Sequence, residues 1–186
     1  MLGITIYNIG SSFALFESDI TVISQANTGA WNVLVNNTDI TGSTTTFTVS
    51  NINISGSNHV IANRMAPGTN AYFDINIVPT GTEVSLRYDI IFDFSLLSAS
   101  IVVDDIVELN NRTLVRTGEY TYSGIITLDE IEADVTSNIR VSIEWENDEN
   151  NNDIDTEIGQ NVSGSISIPV QVNVIQYLGE QLVEYE

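Results

Sequence analysis

The sequence predicts an all-β protein: an antiparallel two-sheet jelly-roll sandwich with an extended N-terminal strand. Three observations predict it. Apolar residues recur at every second position over many short runs, which puts one face in a core and one in water. Turn-forming Gly, Pro, Asn and Ser separate those runs. No stretch of ten or more residues carries an apolar stripe at helical spacing.

The elements follow in chain order. Residues Gly3–Ile9 (GITIYNI) have strand character, and Phe13–Phe16 (FALF) forms a second apolar cluster. Trp31, Val33 and Val35 make a short strand. Phe73, Ile75 and Ile77 alternate with Asp74 and Asn76, and Leu86, Tyr88, Ile90, Phe92 and Phe94 alternate mainly with polar residues. Leu128–Asp134 suits a short helical turn. Val141, Ile143 and Trp145 form one late strand, and Ile166, Ile168, Val170, Val172 and Val174 another. Between them Asn147–Glu157 (NDENNNDIDTE) reads as a solvated hairpin loop. Pro169 inside the last strand predicts an edge position or a bulge. Turn signals stand at 27–29, 41–43, 55–58, 66–68, 79–81, 117–118 and 163–164. No repeat of 20–50 residues is visible, which favours a sandwich over a propeller or solenoid. The expected organisation is an N-terminal extension (1–20), a sandwich (21–179) and a loose acidic tail (180–186).

Composition narrows the function. The chain has 186 residues, enough for one domain with a sizeable core. Five basic against 25 acidic residues give a net charge of −20, and all five basic residues are arginine. Such a chain repels phosphate backbones, which argues against nucleic-acid binding. The absence of cysteine excludes disulfides, thiolate catalysis and zinc–sulfur sites. Asn36, Asn53, Asn111 and Asn161 begin glycosylation sequons. The apolar first sixteen residues lack a basic leader region and are too short and polar to span a membrane.

Catalytic patterns are weak. The one histidine, His59, lies in a Ser/Gly/Asn turn and reads as an exposed loop residue. No HExxH and no GxSxG elbow is present. Carboxylates are plentiful but none is paired distinctively. The expectation is a protein that is not an enzyme and holds no cofactor. Calcium is the one ion worth placing: Asp148, Asn150, Asn152, Asp153 and Asp155 are hard oxygen donors close in sequence. They fail the EF-hand spacing, since Asp153 stands where glycine is required and Gly159 where a bidentate glutamate is required.

The N-terminal segment offers a different chemistry. Leu2, Ile4, Ile6, Ile9, Phe13, Leu15 and Phe16 can complete the chain's own sheet or pair with the sheet of a neighbour. Composition alone prefers the first. Exchange with a neighbour is heterologous and repeats into an open filament unless rotation closes a ring.

Five blocks resemble the TasA/camelysin family of exported biofilm-matrix proteins. Ser12–Asp19 (SFALFESD) is similar to the segment at the family's signal-processing junction. Ala30–Ile40 resembles its first core strand, Met65–Ile75 its PG turn and strand, and Thr80–Ile90 the next strand pair. Trp145–Tyr177 is similar to the C-terminal strands, so the likeness spans about residues 12–180. The resemblance implies a jelly roll in the biofilm matrix or at the cell surface. It also implies a head-to-tail homopolymer in which the N-terminal segment of one subunit completes the next. Processing near Ala14 would instead make residues 1–13 a signal remnant. Some members are described as metallopeptidases, but this chain has no zinc motif to support that activity. The alternatives are a monomeric cation- or carbohydrate-binding sandwich and a camelysin-type metallopeptidase.

Overall fold

A computed structural model describes residues 29–41, 44–49, 52–55, 59–160 and 166–186. Two antiparallel sheets pack face to face around one apolar core. Sheet A contains β1 (Leu34–Val35), β2 (Thr38–Asp39), β4 (Asn53–Ile54), β5 (Thr69–Val78), β7 (Ile101–Glu108) and β10 (Ser137–Trp145). Sheet B contains β3 (Thr45–Val49), β6 (Leu86–Phe92), β8 (Leu114–Gly118), β9 (Thr121–Ile126) and β11 (Ile168–Gln176). Sheet A runs β2-β1-β5-β10-β7, with β4 also on β5, and sheet B runs β3-β11-β6-β9-β8.

Alternation sets which side of each strand is buried. In β10 every second residue from Ser137 to Trp145 is buried, and β5 repeats the pattern from Thr69 to Ile77. Facing them, Leu86, Tyr88, Ile90 and Phe92 of β6 join Ile168, Val170, Val172 and Val174 of β11. Each such aliphatic or aromatic side chain stabilises the fold by about 1.5–3 kcal/mol on burial. Phe92 adds ring contacts to Phe73, Phe94 and Tyr122.

The largest polar side chain in this core, Tyr88, enters it with a partner. The Tyr88 hydroxyl lies 2.7 Å from Ser137 Oγ, and Ser137 in turn donates to Glu108 Oε1 at 3.2 Å. Glu108 Oε2 also accepts the backbone N–H groups of Asn110 and Arg112, which closes the β7–β8 turn. Burial, with the nearby Glu108 charge, pushes the Tyr88 phenol up to about 12 against a lowering by Ser137. On the outer face of sheet A, Arg140 and Asp74 are cross-strand partners joined by two bonds of 2.8 Å. Arg140 also stacks over the Tyr72 ring. The bonds to Asp74 hold the Arg140 guanidinium above its ordinary value.

Two short helices bridge the sheets. The helical turn expected at 128–134 is α1 (Leu128–Glu132), and Glu130 reaches back to the Thr127 N–H and hydroxyl. Glu130 also accepts from Arg112, whose side chain is nearly buried. Partial burial pushes Glu130 up, but the bonds from Arg112 and Thr127 outweigh it and hold the carboxyl below its usual range.

Four expectations are corrected. Val141–Trp145 and Ile166–Val174 do not form a hairpin: β10 lies in sheet A and β11 in sheet B. The supposed solvated loop between them contains a 3-10 turn (Glu149–Asn151) and a nine-residue helix, α2 (Asn152–Gln160). Asp148 caps the turn by accepting the Asn150 N–H, and Asp153 and Asp155 suit the positive end of the α2 dipole. Pro169 sits on a strand paired on both sides, not on an edge or a bulge. It is tolerated because its carbonyl faces Asp93, one residue past the last β6 pair, so its nitrogen also points beyond that ladder. The C-terminal tail is docked, not loose: the Tyr185 N–H donates to the Arg116 carbonyl of β8, and Arg116 stacks on the Tyr185 ring.

Two strand features escaped the alternation rule. Residues 36 and 37 are both Asn with positive φ (47° and 67°), which makes a tight two-residue hairpin between β1 and β2. In β7 the register to β10 shifts between Ser142 and Ile143, leaving Asp104 as an extra residue that breaks the period.

Candidate functional site

The sandwich has two unlike ends. At one end β5 and β7 begin and β10 ends, with Trp145 opposite both Thr69 and Ile101. A groove of about 870 Å³ opens there between the sheets. Ile54, Met65, Leu97, Trp145, Ile158 and Ile166 supply most of its apolar wall. None of these residues is a sequence neighbour of another, so the groove exists only because the topology gathers them.

Each wall is held by a specific device. The turn at residues 66–69 places Met65: the Thr69 hydroxyl donates to the Ala66 carbonyl at 2.7 Å and accepts the Ala66 N–H at 3.0 Å. Gly68 in that turn has φ +81°, a left-handed conformation that favours glycine, and its N–H donates to the Trp145 carbonyl at 2.7 Å. Helix α2 forms the outer wall, with Ile154 and Ile158 four residues apart on one face. It is anchored by the Trp145 indole N–H, which donates to Asp155 Oδ1 at 2.7 Å. Asp155→Ala leaves that nearly buried donor without its partner. The expected loss is about 1–3 kcal/mol of stability. Urea unfolding checks it, with Asp155→Asn retaining most of the difference; an unchanged midpoint for Asp155→Ala would refute the anchor.

The backbone beside the groove is sparsely paired. β4 offers two residues to the start of β5, and β1 offers two to its end. Between them Phe73–Ile75 has no strand on that side among the described residues. Among the described residues β3, at the edge of sheet B, pairs only with β11.

Residues 29–33, where the described part of the chain begins, lie at the opposite end. Ala30 exchanges bonds with Glu83: Ala30 N–H to Glu83 Oε2 at 2.9 Å, and Glu83 N–H to the Ala30 carbonyl at 2.7 Å. Asn32 and Thr82 lock together similarly. These contacts lie just before β6 begins, a strand length of roughly 30 Å from the groove.

The sequence-predicted residues distribute as follows. The donor-strand residues Leu2, Ile4, Ile6, Ile9, Phe13, Leu15 and Phe16 lie outside the described residues, as does Asn161. Asn36 occupies the β1–β2 turn, where its Oδ1 accepts the Asn76 N–H at 2.9 Å. Asn53 is exposed on β4, and Asn111 is exposed with φ 58°. His59 is exposed in a turn. The calcium set does not converge. Asp148 binds its own Asn150, Asp155 binds Trp145, and Asn152 and Asp153 begin α2. The described residues hold no group of three or more His, Asp or Glu placed for one ion. No helix among them is long and apolar enough to cross a membrane.

Sequence reasoning missed Arg64, which lines the groove and is exposed. Its signal was available: Arg87 and Arg140 stand within alternating strands that carry an acid, Asp89 and Glu144, whereas Arg64 stands in a turn-rich segment with no nearby acid. No protein-family model matches this chain, and no curated protein or solved structure matches it either.

Proposed function

We propose that this chain is the subunit of an extracellular filament of the biofilm matrix or cell surface. Subunits join non-covalently, with residues 2–16 of one copy laid into the groove of the next. The observation that carries this reading is the separation of the two ends: the described part of the chain begins at one and the apolar groove opens at the other. A contact between unlike surfaces repeats head to tail without closing on itself unless rotation forms a ring. The short β4 and the β3 edge beside the groove suit an added strand, whose backbone would bond there while Ile4, Ile6 and Ile9 fill apolar space. The resemblance of five blocks to the TasA/camelysin family gives the same assignment. The jelly-roll form of the sandwich belongs to this reading as well. The proposed role is structural, with no catalysis and no cofactor. Lacking lysine, the chain cannot form lysine–asparagine isopeptide links.

Deletion of residues 2–16 tests the proposal. Electron microscopy and sedimentation should find soluble, folded monomers where the full chain forms filaments. Filaments of normal length from the truncated chain would overturn it.

A further inference from the structure

Five cations serve a chain of net charge −20, and four of them are occupied. Arg87, Arg112 and Arg140 pair with Asp89, Glu130 and Asp74. Arg116 donates to the Gly118 and Glu119 carbonyls and covers the Tyr185 ring. The Arg64 guanidinium makes no hydrogen bond or ion pair among the described residues, and it stands at the apolar groove. An exposed, uncommitted cation at the rim of an apolar groove suits an extended segment that is apolar and ends in an acid.

Residues 1–28 contain such a segment. Their only charged residues are Glu17 and Asp19, and these directly follow Phe13–Phe16. We infer that Arg64 fixes the register of the docked segment by pairing with Glu17 or Asp19 of a second copy. Phe13, Leu15 and Phe16 then occupy the apolar wall nearest Arg64, and Ile4, Ile6 and Ile9 lie further along the same docked segment. The inference rests on the filament reading and adds the partner group to it.

Reach and charge both fit. Eleven residues separate Glu17 from Gly29, and the twelve steps between them span up to about 40 Å when extended. That is ample for a segment leaving one end of a subunit to reach the groove of a stacked neighbour. Glu157 also lines the groove, on α2. Its charge repels an incoming acid, which favours the register that carries Glu17 and Asp19 to Arg64 and away from the helix.

A charge reversal tests the pairing. Arg64→Glu should raise the critical concentration for assembly about tenfold, and the triple variant Arg64→Glu/Glu17→Arg/Asp19→Arg should restore it. Arg64→Lys should stay near the starting value. The wild-type dependence on salt should be steeper than that of Arg64→Gln. Arg64 is exposed, so folding of each monomer is checked by circular dichroism. If Arg64→Glu assembles normally while deletion of 2–16 does not, the pairing is overturned and the filament reading stands. A triple variant that fails to recover overturns the pairing with Glu17 and Asp19. Normal assembly after the deletion overturns both. A wild-type protein that stays monomeric at all concentrations, its segment folded into its own groove, also overturns the inference.

Discussion

Gly124→Ala is expected to destabilise the protein by about 3 kcal/mol, at the upper end of what over-packing of a core costs. Gly124 of β9 stands directly opposite Tyr88 of β6. A Cβ at this position would fall on the hydroxyl and ring edge of Tyr88. The phenol cannot step aside cheaply: it is fully buried and tied to Ser137. Moving it gives up that bond and the packing around the ring. The glycine is therefore required by space, and its backbone conformation does not enter the argument. Urea unfolding of Gly124→Ala measures the loss. In a Tyr88→Leu background the same substitution should cost close to nothing, and an equal cost in both backgrounds would show that the clash is not with Tyr88.

The second large effect is on alkaline stability. Tyr88 has its folded pKa raised to about 12, against 10.0 for the ordinary side chain. The folded protein keeps the proton that the unfolded chain releases above pH 10. The stabilisation is thus fully present below pH 10, falls as pH rises from 10, and is lost by about 12. The slope is roughly 1.4 kcal/mol per pH unit, so the loss across the window is on the order of 3 kcal/mol. Comparing unfolding midpoints of the wild type and Tyr88→Phe from pH 9 to 12 isolates it, because every other titrating group is shared. Tyr88→Phe should start about 1 kcal/mol less stable, having lost the Ser137 bond, and should then decline more gently. Parallel curves through pH 12 would show that the phenol titrates in the folded state as it does in water.

The long strands were legible because their burial is one-sided and regular. Leu86, Tyr88, Ile90 and Phe92 alternate in sequence as they alternate in the sandwich. β7 was not legible: Asp104 is a bulge residue, and one inserted residue shifts every later side chain to the other face. Helix α2 was hidden by composition, since Asn and Asp favour caps and turns. Only Ile154 and Ile158 carry its apolar face, and they become meaningful once Trp145 is seen to hold Asp155. The groove could not be read at all. It joins residues from β4, two turns, β10 and α2, and no window along the chain contains more than two of those pieces.

The tail across β8 has a consequence for how the molecule meets others. With the Arg116 carbonyl taken by Tyr185, the outer row of β8 is partly closed to a foreign strand. The neighbouring edge, β7, is interrupted by its bulge and carries exposed Asp104 and Asp105. These two edges share one flank, because only the short turn at 109–113 separates β7 from β8. Among the described residues, the opposite flank, with β3 and β4, has neither strap nor bulge. The sandwich is therefore one-sided, shut to lateral sheet growth along one margin and receptive along the other. Sideways stacking into broad amyloid-like sheets is disfavoured, while a single line of strand-to-edge contacts remains open.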